Sequence, residues 1–85
     1  MNAPHRPAAE FDPSPLERQQ MIAVAAYYLA EHRGFAPGGE LDDWQHAEQQ
    51  INDMLAAMRR QGISRQELER AGLRNALQFW GSQPA

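Results

Sequence analysis

The chain has 85 residues, no cysteine and a formal net charge of −3. That length allows one small domain. The missing cysteines exclude a disulfide, a thiolate metal site and a thiol nucleophile, and the acidic balance speaks against general phosphate binding. Lysine and threonine are absent, and Val24, Ile22, Ile51 and Ile63 are the only beta-branched residues. Strands favour beta-branched side chains, whereas the alanine, glutamine, glutamate, arginine and leucine that dominate here lose little on entering a helix. The composition therefore predicts an all-α protein. The charge is segregated. Glu40, Asp42, Asp43, Glu48 and Asp53 occupy residues 35–56 with no lysine or arginine among them, while residues 57–85 carry five arginines against Glu67 and Glu69.

Pro4, Pro7 and Pro13 punctuate an N-terminus with little to bury. Residues 1–13 are expected to form a disordered tail, and they lack the apolar run of a secretory leader. Cysteine-free composition fits a reducing compartment, so the expected location is cytoplasmic. The longest apolar stretch, Met21 to Ala30, is too short to span a membrane.

Ser14-Pro15 with Glu17 reads as a helix start, with serine as N-cap, proline in the first turn and glutamate closing a capping box. A first helix is predicted from Pro15 to Arg33. Its buried stripe is Ile22, Ala25, Ala26 and Leu29, flanked by Met21 and Tyr28 at helical spacing. Tyr27 and Tyr28 lie about 100° apart around the helix, so one of them must reach the surface or another subunit. Gly34 ends the helix in a left-handed conformation, and the apolar Phe35 follows it.

Pro37-Gly38-Gly39 makes a tight turn. A second helix is predicted from Asp42 or Asp43, with Asp42 as N-cap and Gln45 as its capping-box partner. It runs to Gln61 and stops at Gly62. Trp44, Ala47, Ile51, Met54, Leu55 and Met58 give it an a/d-like apolar pattern. Ser64 and Glu67 form another capping box, and Gly72 is expected to break the segment that follows. A short helix from Leu73 to Trp80 results. Leu68, Ala71, Leu73, Leu77 and Trp80 would pack down on the hairpin. The whole reads as a hairpin domain over 14–61 and a C-terminal helical segment over 62–81.

The run from Arg18 to Ile51 resembles a small bacterial family known as domain of unknown function 2934. The residues that carry the likeness are Ile22, Ala26-Tyr27, Leu29, Glu31 and Gly34 in and after the first helix. Pro37 and Gly38 follow in the turn, then Asp43-Trp44 and Ala47-Glu48 in the second helix. The resemblance covers less than half of the chain. It implies a short helical hairpin and brings no activity, ligand or catalytic residue with it.

Candidate chemistry is sparse. Tyr27, Phe35 and Trp44 could cluster at the hairpin turn, where aromatics either clamp the turn or anchor a partner. His32, Asp43 and His46 could come together, but the paired Glu-x-x-His pattern of metal-binding bundles is absent, so no metal ligand is assigned. Ser14 and Ser64 read as caps, and no phosphate loop is present, so no catalytic residue, cofactor or enzymatic activity is expected. Arg59, Arg60, Arg65, Arg70 and Arg74 across a helix–glycine–helix segment give a nucleic-acid-binding regulator as the alternative. The leading expectation is an interaction module that self-associates as a homodimer, because two helices leave both flanks of their seam open. Tyr28, Trp44, Met54, Met58 and Trp80 are its candidate binding residues.

Overall fold

The structure, a computed structural model, describes residues 13–81. All but Pro13 of the expected N-terminal tail lies outside the described residues. Four helices follow one another: α1, Pro15–His32; α2, Glu40–Gln61; α3, Arg65–Ala71; and α4, Leu73–Trp80. The described residues contain no strand, and the protein is all-α.

The helix starts at Ser14 and Ser64 are built alike. The Ser14 hydroxyl accepts from the Glu17 backbone N–H at 3.1 Å, and the Ser14 N–H donates to the Glu17 carboxylate at 2.9 Å. Ser64 and Glu67 repeat both bonds at 3.1 Å. Each pair satisfies two backbone donors that an uncapped first turn would leave open.

α2 begins at Glu40, two residues before the earliest start expected from the sequence. Gly39 is its N-cap and Asp42 makes no cap bond. The Asp43 N–H already donates to the Gly39 carbonyl at 2.9 Å, inside the helical ladder. The Glu40 carboxylate turns back to accept from the Gly38 N–H at 3.1 Å. Glu40, Asp42 and Asp43 instead fill the first turn, where acidic side chains suit the positive helix end.

α1 and α2 form the antiparallel hairpin. Ile22 and Ala25 of α1 meet Ala47, Ile51, Met54, Leu55 and Met58 of α2 in one cluster. Ile51, Met54 and Met58 are its largest fully buried side chains, each contributing about 1.5–3 kcal/mol of burial. α4 lies across the seam, and its Ala76 is completely buried. Leu68, Leu73, Leu77 and Trp80 press on the same cluster. α3 packs mainly against α4. Gly72 parts the two short helices at φ 85° and ψ 150°, a backbone conformation closed to residues with a side chain.

Candidate functional site

The hairpin turn is held by charge. The Arg33 guanidinium grips the Asp43 carboxylate with two nitrogens, Nε to Oδ1 at 3.2 Å and Nη2 to Oδ2. Its third nitrogen donates to the Ala36 carbonyl. Arg33 therefore ties the end of α1, the middle of the turn and the first turn of α2 together. Asp43 is the buried charged residue of the described chain. The Arg33 hydrogen bond holds its carboxyl below the ordinary aspartate value; partial burial opposes this, while the charges of Arg33 and His46 add to it. The planar fork of arginine suits such a two-pronged grip.

This clamp removes Asp43 from the His/acid set. His32 and His46 are exposed, and among the described residues no three histidine, aspartate or glutamate side chains come close enough to hold a metal ion.

The aromatic corner forms without the tryptophan. Tyr27 packs on Phe35 with ring centres 5.4 Å apart and on Tyr28 at 6.3 Å. Trp44 joins neither ring. It is half-buried against the core and lines a shallow groove with Arg18, Ile22 and Glu48 between α1 and α2.

The five candidate binding residues do not share a surface. Met54 and Met58 are completely enclosed, because the a/d pattern that drew attention to them is the pattern of the core seam. Trp80 is half-buried on the core, edge to face with the exposed Phe79 at 5.7 Å. Tyr28 is half-buried beneath Arg74, whose guanidinium carbon stands 4.1 Å from the ring centre while Nη2 bonds Glu31 at 3.0 Å. Of the two tyrosines, Tyr27 is the one that reaches the surface, with 55% of its area exposed.

A surface that sequence reasoning missed runs along the outside of α1. Leu16 is 66% exposed and Val24 40%. Ala23 is also exposed, and Phe35 beyond the helix end keeps 53% of its surface in solvent. Leu16, Gln20, Ala23 and Tyr27 recur at spacings of four, three and four, the period of a helix–helix seam. The signal was present as an apolar excess on every side of α1; a helix of that kind is normally covered on more than one face. Val24 also borders an open groove of about 400 Å³ between α1, α3 and α4. Met21, Leu55, Leu68 and Leu73 floor this groove, and Glu17, Arg65 and Glu69 edge it.

Two of the five C-terminal arginines form ion pairs with α1. Arg65 pairs with Glu17 and Arg74 with Glu31. The cap bond from Ser14 and then the Arg65 hydrogen bond lower the Glu17 carboxyl below its ordinary value. Among the described residues no helix is long and apolar enough to cross a membrane.

Residues 17–53 match the family model described as "Protein of unknown function (DUF2934)". The matched segment is the hairpin itself, from the first turn of α1 through most of α2. It contains both Arg33 and Asp43 and stops short of α3 and α4. Neither the curated proteins nor the solved structures offer a match.

Proposed function

We propose that this chain is a small, non-enzymatic protein-interaction module that self-associates through the outward face of α1. The observation that carries the reading is the second apolar face of that helix. Its inner face, with Ile22 and Ala25, is satisfied by α2 and α4, yet Leu16, Ala23, Val24 and Tyr27 remain in solvent. Burying such a face against a like surface removes apolar area from water without placing a charge in the interface.

The alternative, a nucleic-acid-binding regulator, draws on the arginines of residues 59–74. Binding phosphates there would compete with Glu17 for Arg65 and with Glu31 for Arg74, and affinity for a polyanion scales with the charges left to neutralise it. The geometry favours the interaction module.

Absolute mass by light scattering across a dilution series tests the proposal. The expected result is a dimer that Tyr27→Gln with Val24→Gln converts to monomer while the helical circular dichroism signal is retained. A wild-type chain that stays monomeric at every concentration overturns it.

A further inference from the structure

We infer that two copies pair through α1 in an antiparallel arrangement, with Leu16 of each copy against Tyr27 of the other and Gln20 against Ala23. The inference rests on the self-association proposed above and adds its geometry.

The seam defines its own register. Leu16 with Tyr27, and Gln20 with Ala23, share one midpoint, between positions 21 and 22. A two-fold axis at that level therefore places every seam residue opposite another seam residue, as an isologous interface requires. Ala23 and Gln20 then lie at the crossing, where the small alanine lets the helices approach. A bulky apolar residue stands at each end: Leu16 in the first turn, Tyr27 three turns later. A parallel pairing would instead stack Tyr27 on Tyr27 and Gln20 on Gln20.

Charge distinguishes the two arrangements. No charged residue lies on the seam between Leu16 and Tyr27. Beside the start of α1, Glu17 and Glu69 flank Arg65, with Glu69 only 3.9 Å from Arg65 and its side chain 70% exposed. Beside the end of α1, Arg74 holds Glu31 at 3.0 Å. Antiparallel pairing brings the acid-rich start of one copy, where two carboxylates share Arg65, beside the Arg74 end of the other, so Glu69 gains a second cation. Parallel pairing leaves the acid-rich starts of both copies at one end of the pair, away from either Arg74. The uncharged seam also selects the occupant: another neutral helical face satisfies it, and the same chain supplies one in matching register.

The chain has no cysteine, so single cysteines report the register without background. Four variants serve: Leu16→Cys, Gln20→Cys, Ala23→Cys and Tyr27→Cys. Each is oxidised alone and in mixtures with glutathione buffer, and interchain disulfides are followed on non-reducing gels. The expected result is that Leu16→Cys mixed with Tyr27→Cys, and Gln20→Cys mixed with Ala23→Cys, crosslink several-fold faster than any variant with itself. The second mixture removes no apolar bulk, so it still reports if Leu16→Cys or Tyr27→Cys weakens the dimer. Faster like-with-like crosslinking, or a dimer by light scattering in which no pair crosslinks, overturns the register and leaves self-association standing. A monomeric wild-type mass overturns both.

Discussion

The two long helices end in the same way and to different effect. After α1, Gly34 adopts φ 74°; its N–H bonds the Glu31 carbonyl, and the Phe35 N–H reaches back to Ala30 at 2.8 Å. After α2, Gly62 adopts φ 72°; its N–H bonds Arg59, and the Ile63 N–H reaches Met58 at 2.9 Å. Both closures satisfy carbonyls that the last turn leaves open, and both are followed by an apolar residue placed to fold back on the helix. Ile63 does so and packs on the core. Phe35 instead takes φ 60°, unusual for a bulky residue, and stays more than half exposed beside Tyr27. One end of the hairpin is thus secured by apolar contact and the other by the Arg33–Asp43 clamp. The same local motif serves an interior and a surface, and the surface end is the one beside the exposed face of α1.

Valine at the shared glycine is the strongest way to probe this comparison. No atom lies within 4 Å of where a Cβ would sit at Gly34 or Gly62. Gly34→Val and Gly62→Val should therefore each cost about 1–3 kcal/mol through backbone strain alone, and the two losses should be equal in thermal or urea unfolding. Unequal losses would mean that packing, and not the left-handed backbone, closes one of the ends.

Next in size is the clamp. Asp43→Asn should lower the melting temperature and flatten the acid side of the stability–pH curve. The sign follows from the depressed Asp43 carboxyl: its contribution is complete above the ordinary aspartate value of about 4 and is lost as pH falls through the lower folded-state value. Arg33→Lys keeps the charge without the fork and should recover only part of the wild-type melting temperature.

A smaller effect is expected at Ile63. Trimming this half-buried side chain to alanine should cost about 1–2 kcal/mol by the area it covers. Phe35→Ala should be the mildest, within about 0.5 kcal/mol of wild type as for a surface change. If the two alanine variants melted together, the contrast between a buried and an exposed closure would be wrong.

Much of this architecture is legible in the residues. Ser14 with Glu17 and Ser64 with Glu67 announce their helices because a capping box needs only four consecutive residues. Gly34, Gly62 and Gly72 mark the breaks because the backbone angles there demand glycine. The start of α2 differs from the expected one because Asp42 and Asp43 both read as caps, whereas Gly39 takes the cap position and Arg33, ten residues before Asp43, holds that carboxylate in the clamp. Local pattern cannot reveal such a claim from across a turn. Ala57 and Ala76 are buried but were not picked out, since alanine reads the same inside and out. The candidate surface was less legible than the fold. Met54 and Met58 are the clearest case: their a/d spacing already places them on the inner seam, where both are enclosed. The inner face of α1 is legible as Ile22, Ala25, Ala26 and Leu29, all of which lie in or on the core, whereas Gln20 interrupts the apolar residues of the outer seam and hides it.

The seven residues of α3 and eight of α4 are each shorter than a helix that persists alone in water. Their hydrogen bonds thus endure only while docking holds, and the Gly72 joint prevents them from merging into one longer, self-sufficient rod. They are therefore the helices expected to lift first when the fold opens locally. Amide hydrogens from Arg65 to Trp80 should exchange together through a sub-global opening that leaves the hairpin intact. Such an opening would uncover Met21 and Leu55, which lie beside Leu68 and Leu73, and the small C-terminal lobe would then serve as a removable cover over the apolar interior of the hairpin.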